Sequence, residues 1–238
     1  MEVRQGEALM NKAGMGAVTG SGLFEGISAG EADELLAYLR PRREFFDENE
    51  FILNCGDCAR SVGLLLSGTA CVMKEDFWGR RTILSSVEPG DIFAEVYALL
   101  PGVPLEVSVL AAAPAEVLFL DVEQALRLRG VGPHVTLVQN LLSIVARKNL
   151  ILSRQAEILS KRTIRERLLT YLSAESFHRG LASFEIPFSR QELADHLSVD
   201  RSALSNEISK MKEDGIIGCE RRVFTLPTEN AEKDEGAN

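Results

Sequence analysis

The spacing of apolar residues along this chain changes character from one stretch to the next, and each change predicts a different kind of element. Between about residues 49 and 121, short runs rich in β-branched and large apolar residues (SVGLLL, ACVMKE, RTILSSV and EVLFLD) read as strands. The turn pairs Gly56-Asp57, Ser67-Gly68, Trp78-Gly79, Pro89-Gly90 and Pro101-Gly102 punctuate this stretch 11 or 12 residues apart. That even beat predicts an all-β sandwich or roll. Leu23 to Leu39 reads as short helical pieces leading into it, and residues 1–22, rich in Gly and Ala, as a disordered tail.

After the roll the period lengthens. From Val135 to Leu159 there is no Pro or Gly, and two apolar seams recur at 3.5-residue spacing. One is Val138, Leu142, Val145, Asn149, Leu152, Ala156 and Leu159; the other is Leu137, Leu141, Ile144, Lys148, Ile151, Gln155 and Ile158. A long helix with two stripes covers two surfaces, so one seam is expected on the roll and the other on a second copy, giving a homodimer. The competing reading is a buried monomeric helix. Asn149, or Lys148 in the other seam, is the polar position expected to fix coiled-coil register.

Residues 188–217, FSRQELADHLSVDRSALSNEISKMKEDGII, predict two short helices joined by a tight turn. Ser189 and Glu192 form a capping box, and Asp200 is placed to cap a second helix that stops at Gly215. Leu193, Ala194 and Leu197 form the inner face of the first helix, and Leu204, Ile208 and Met211 that of the second. Ser198 occupies the turn where many helix-turn-helix units have Gly. Arg201, Ser202, Ser205 and Asn206 then lie on exposed first turns, where a recognition helix meets base edges: Arg suits guanine, Asn suits adenine, and Ser is permissive. Arg190, Gln191 and Lys210 are candidates for backbone contacts, as are Arg221 and Arg222 in the strand-like wing IIGCERRVFTLP.

Composition narrows the class. With 238 residues, 45% hydrophobic and 26% charged, the chain suits one β domain plus a small helical one. No unbroken apolar run reaches the roughly 18 residues of a membrane span, and the N-terminus lacks a signal-peptide pattern, so a cytoplasmic location with no membrane partner is expected. The net charge of −9 is uneven: residues 161–226 carry 11 basic and 10 acidic side chains. Their KRTIRER run, with Lys161, Arg162, Arg165 and Arg167, reads equally as a basic patch or a solvated helix face. Nucleophile elbow, P-loop and metal-ligand patterns are absent, so no enzyme and no metal site are expected. Cys55 and Cys58 straddle a turn as a lone CxxC, which supports zinc poorly but admits a redox pair.

LFEGIS, EDFWGRRTIL, EPGDIFAE and FSRQELADHL with SVDRSALSNEISKMKEDGII, in this order, resemble the Crp/Fnr family of bacterial regulators from Leu23 to Leu226. The resemblance implies an α+β protein: an N-terminal cyclic-nucleotide-binding-like β-roll (a double-stranded β-helix or jelly roll) over 23–130, a dimerisation helix over 131–160, and a winged helix-turn-helix over 161–226. An acidic tail over 227–238 completes the expected organisation. The family's phosphate cassette resembles Gly90-Asp91-Ile92-Phe93-Ala94-Glu95-Val96, but its Arg-Ser pair falls on Leu105-Glu106, which offers no cation to an anion. This argues against cyclic AMP or GMP and toward an apolar or aromatic effector near Phe93, Glu95, Tyr97 and Leu105. No cysteine precedes Cys55, which argues against the family's iron–sulfur cluster, and the isolated His134, His178 and His196 argue against haem. The recognition helix also lacks the family's usual Glu and final Arg, reading Ser202-Ala203-Leu204-Ser205-Asn206. The expected function is therefore a double-stranded-DNA-binding transcriptional regulator set by an effector or redox signal, with RNA polymerase as a further partner. The alternative is a regulatory protein-interaction module whose winged helix does not bind DNA.

Overall fold

The structure, a computed structural model, describes residues 12–39, 41–127 and 132–227. The chain divides between Lys148 and Asn149 into two compact units. The first unit opens with α1 (Lys12–Gly20), a 3-10 turn at Gly22–Phe24 and α2 (Ala29–Leu39). The strands follow: β1 (Arg42–Phe46), β2 (Phe51–Leu53), β3 (Ser61–Ser67), β4 (Ala70–Glu75), β5 (Arg81–Val87) and β6 (Ile92–Phe93). After α3 (Glu95–Leu99) come β7 (Ser108–Ala111), β8 (Ala115–Asp121) and α4 (Val122–Arg127), and α5 (Pro133–Ser160) runs across the division.

The strands form two antiparallel sheets, ordered β1-β8-β3-β6 and β2-β7-β4-β5. The apolar runs of β3 and β8 are nearly continuous because both faces of their sheet are covered. Leu65, Val117 and Phe119 face the roll interior with Ile52, Val87 and Val109. Val62, Leu64, Leu66, Leu118 and Leu120 face the helices, against Phe24, Leu36, Leu137 and Leu141. In contrast β5 is an edge strand, exposed from Arg81 to Ser86. All five expected turn glycines have positive φ, from 78° at Gly79 to 95° at Gly90. At Gly68 a Cβ would also lie 2.2 Å from the Pro114 carbonyl oxygen, so no larger residue fits that turn.

The N-terminal reading needs correction. Residues 12–20, expected in a disordered tail, form α1, with Val18 fully buried in the helix-side core. The Ser21 hydroxyl donates to the Val18 carbonyl at 2.6 Å. Burial of an apolar position overrode a Gly- and Ala-rich composition that reads as loose. Residues 1–11 and 228–238, and with them the expected acidic tail, lie outside the described residues.

Helix α5 serves two surfaces. Leu137 and Leu141 of one seam are buried against the roll, with Ile144 beside them. Leu142 and Leu152 of the other seam are 57% and 68% exposed, and Leu150 and Ile151 lie bare as well. An 18-residue stretch of α5 reaches a mean hydropathy of 1.2, apolar enough by length and composition for a membrane span although it contains no unbroken apolar run. The Asn140 amide of α5 donates to the carbonyls of Leu23 and Glu25, in and just after the 3-10 turn, at 3.0 and 2.8 Å.

The second unit takes in the end of α5, α6 (Ile164–Arg179), β9 (Ser183–Glu185), α7 (Arg190–His196), α8 (Arg201–Glu213), β10 (Gly218–Glu220) and β11 (Val223–Thr225). The strands pair antiparallel in the order β10-β11-β9. Leu168, Leu172, Leu193, Leu197, Leu204, Met211 and Phe224 form its buried centre. Thr163 and Glu166 close α6 with a capping box that the sequence reading had not singled out.

Candidate nucleic-acid interface

Local sequence chemistry sets the two helices of the motif. The Ser189 hydroxyl accepts from the Glu192 amide at 3.3 Å, and the Glu192 carboxylate accepts from the Ser189 amide at 2.6 Å, forming the expected box. Hydrogen bonding to the carboxylate from the Ser189 backbone amide first, and then from the Ser189 side chain, holds the Glu192 carboxyl below its ordinary pKa. Asp200 caps α8 by accepting from the Ala203 amide at 2.8 Å. At the other end the Ile216 amide donates to the Met211 carbonyl and the Gly215 amide to the Lys212 carbonyl, with Gly215 at φ 70°. This is a Schellman stop. Between the helices Ser198 adopts φ 52°, a left-handed conformation, in the turn.

With Leu204, Ile208 and Met211 buried, α8 presents Arg201, Ser202 and Asn206 to solvent and Ser205 at half exposure. These four residues form one contiguous face over the first two turns. The sequence reading missed Ser209, which continues this face; its hydroxyl donates to the Ser205 carbonyl at 3.1 Å. Its position four residues after Ser205 was the available signal. Lys210 and Gln191 are exposed, the latter donating to Asp195 at 2.9 Å.

Two other basic groups are not free as expected. Arg190 is half-buried, its guanidinium lying 5.7 Å from the Phe224 ring centroid and 3.5 Å from both the Arg221 carbonyl and the Cys219 sulfur. It braces the wing, while Arg221 and Arg222 are exposed there. The KRTIRER run is neither an open patch nor a merely solvated face. Arg165 bonds Glu207 at 2.6 Å and Asp214 at 3.0 Å, neutralising two carboxylates on or beside α8. Arg167 donates only to backbone carbonyls.

In the first unit, the expected effector-pocket residues have separate duties. Phe93 is buried in the roll interior, where its ring lies where a Cβ on Gly63 would be, 2.2 Å away at the closest. Leu105 is 2% exposed. The Tyr97 hydroxyl accepts from the Glu106 amide at 3.3 Å. Glu95, buried at the start of α3, meets the Lys148 ammonium of α5 at 2.8 Å. Ala94 just before it has φ 60°.

Cys55 and Cys58 are exposed free thiols. Their turn is tied to Leu105 by two backbone bonds, from the Gly56 amide to the Leu105 carbonyl and from the Leu105 amide to the Asp57 carbonyl, both 2.8 Å. Among the described residues, no three His, Cys, Asp or Glu side chains converge as metal ligands. His134, His178 and His196 lie on different helices.

Comparison with known proteins agrees with this organisation. Residues 43–129 match the family described as Cyclic nucleotide-binding domain, and residues 166–231 the Crp-like helix-turn-helix domain. The Cyclic AMP receptor protein of Thermus thermophilus is 27% identical over 199 residues, covering 83% of this chain and 88% of its own. The crystal structure of the Thermus thermophilus Catabolite Activator Protein is similar in fold, with a TM-score of 0.52 at 24% identity. That match covers 87% of this chain and 94% of the other.

Proposed function

Because this chain belongs to the Crp/Fnr family of DNA-binding transcriptional regulators, which are transcription factors and not enzymes, we propose that it reads a palindromic duplex site as a homodimer. Arg201, Ser202, Ser205 and Asn206 of each copy meet base edges in the major groove, and Lys210, Gln191, Arg221 and Arg222 meet the phosphates. The observation that carries this reading is the capped α8, whose inner face is fully buried and whose outer face over the first two turns is polar with one cation. The second copy accounts for Leu142 and Leu152, the members of the second seam left bare on α5. Asn149, exposed between them in the same seam, is the register position, since Lys148 is engaged with Glu95.

The effector of this chain is not a cyclic nucleotide, although the Thermus relative is named for cyclic AMP. Leu105, which by count along the sequence falls where the family has its phosphate-binding Arg, is buried, and Glu106 beside it would repel an anion. The signal enters through the segment around Leu105, by an apolar ligand or by oxidation of Cys55 and Cys58, whose turn is hydrogen-bonded to Leu105.

Selection from random duplex DNA by the purified chain, under reducing and oxidising conditions, tests both parts. A palindrome with two half-sites about one helical turn apart supports the dimeric regulator. Recovery that changes with oxidation, and is abolished by Cys58→Ser, supports the thiol input. Binding that picks no sequence and barely responds to salt would place the winged helix on a protein partner instead.

A further inference from the structure

The turn that leads into the recognition helix is held by side chains from other helices, and they bond it to the end of α5. Helix α7 ends with carbonyls that have no partner within the helix. The His196 carbonyl accepts from the Gln155 amide of α5 at 2.7 Å. The Leu197 and Ser198 carbonyls accept from Nη1 of Arg167 at 3.0 and 3.2 Å. The same guanidinium donates from Nε to the Lys161 carbonyl at 3.0 Å and from Nη2 to the Leu159 carbonyl at 3.4 Å. One cation thus sits between the C-terminal ends of two helices, α5 and α7, where both backbone dipoles favour positive charge. Its fork of donors serves four carbonyls at once, which a lysine cannot do.

Spacing along α5 gives these bonds a further meaning. Lys148 and Gln155 are seven residues apart on one face, the two polar members of an otherwise apolar seam. Lys148 is tied to the first unit through the Glu95 carboxylate and, at 2.9 Å, the Ile92 carbonyl. Gln155 is tied to the second through His196. Residues 149–154 between them are all exposed, and the division of the chain falls at their start.

We propose that Arg167 and Gln155 are positioning residues that lock the recognition turn to the last turns of α5, so that any adjustment between sensing and DNA reading occurs within residues 149–154. A joint at Ser160 would lie inside the region that Arg167 braces; Ser160 itself bonds the Glu157 carbonyl at 2.6 Å. Half-site separation on DNA is then fixed by α5 and not by a flexible linker. This inference rests on the dimeric DNA-binding reading.

The test repeats the duplex selection with the full wild-type chain, Arg167→Lys and Gln155→Met, with thermal unfolding of each in parallel. The wild type is expected to return one half-site separation. Arg167→Lys, which keeps the charge but not the fork, is expected to return two or more separations, and to bind the wild-type consensus at least ten-fold more weakly with its non-specific, salt-dependent affinity unchanged. Gln155→Met, which removes a single bond at a half-buried position, is expected to broaden the separations less; it carries the test if Arg167→Lys does not fold. A folded Arg167→Lys or Gln155→Met chain that keeps the single separation and full affinity overturns the inference while leaving the dimer reading intact. No palindrome from the wild type overturns both.

Discussion

The Lys148 ammonium on α5 lies 2.8 Å from the carboxylate of Glu95, whose side chain is only 7% exposed. That carboxylate starts the short α3, immediately after the two-residue strand that closes one sheet of the roll. The pair therefore joins the cassette of the sensing domain to the helix that leads out of it. Removing one partner strands a buried charge, whereas removing both does not. Lys148→Met is expected to destabilise the chain by about 1–3 kcal/mol, less than a fully buried pair would, because the lysine side is half exposed. Glu95→Gln combined with Lys148→Met should recover most of that loss. Chemical denaturation of the two single variants and the double variant reads the coupling directly, and additive losses would mean the contact contributes nothing.

Two non-glycine residues occupy left-handed backbone conformations at functional corners. Ser198 has φ 52° in the recognition turn, and Ala94 has φ 60° ahead of α3. Each carries a Cβ strain that glycine lacks. Ser198→Gly and Ala94→Gly are each expected to raise stability by about 0.5–1 kcal/mol, seen as a higher denaturation midpoint at unchanged slope. Ser198→Gly should leave the selected DNA sequence unchanged, because it is the Ser198 carbonyl, not the side chain, that Arg167 holds.

What the sequence disclosed and what it concealed separate along a physical line. The Ser189–Glu192 box, the Asp200 cap, the Gly215 stop and the five turn glycines act within a few residues of themselves, so spacing alone exposes them. The strands β3 and β8, buried almost throughout, were equally plain from their apolar runs. Arg165 and Arg167 read equally as a basic patch or a solvated face, and Arg190 as a DNA-backbone contact, because a basic side chain does not announce its partner; each finds it many residues away or on backbone carbonyls. Lys148 and Gln155 looked like breaks in an apolar seam, and their role emerged only when α5 was placed against what each one touches. Phe93 was expected near an effector; that its ring fills the space beside Gly63 depends on a residue thirty positions away, which spacing does not disclose.

Acid should weaken the winged helix in two separate windows. His196 stacks on Phe188 at 4.9 Å and meets Tyr171 edge-on at 5.2 Å. Burial there disfavours the imidazolium and lowers its pKa below 6.5, with Glu175 opposing more weakly. The unfolded chain then binds a proton that the folded chain resists, so this contribution is complete above pH 6.5 and is lost as pH falls through that value toward the folded pKa. Glu166 and Glu192, held low by their capping bonds, keep their contribution down to about their ordinary 4.5 and lose it only below. Thermal unfolding should therefore show a lower midpoint at pH 5.5 than at pH 7.5, and His196→Phe should flatten that difference while leaving the drop below pH 4.5. A wild-type midpoint constant from pH 7.5 to 5.5 would contradict the burial argument.

Base-reading and phosphate-holding residues can be separated by how their loss depends on sequence and salt. Arg201 stands exposed at the first position of α8 and Asn206 one and a half turns on, and both can pair bidentately with a purine. Arg201→Ala or Asn206→Ala is expected to cost about 1–3 kcal/mol in each half-site, to relax preference at one base pair there, and to leave binding to unrelated duplex nearly unchanged. Arg222→Ala on the wing removes a cation from each copy without a base-reading position, so it should weaken all sequences alike and lower the dependence of the dimer on log salt by about two units. Arg165→Ala is a sharper discriminator, because that side chain neutralises Glu207 and Asp214. Its removal leaves two uncompensated carboxylates beside the DNA face, and binding should fall more steeply at low salt than at high salt, where the repulsion is screened. Equal losses at both salt concentrations would show that Arg165 acts only by holding α6 to α8, and that the charge of its partners is irrelevant to the reading of DNA.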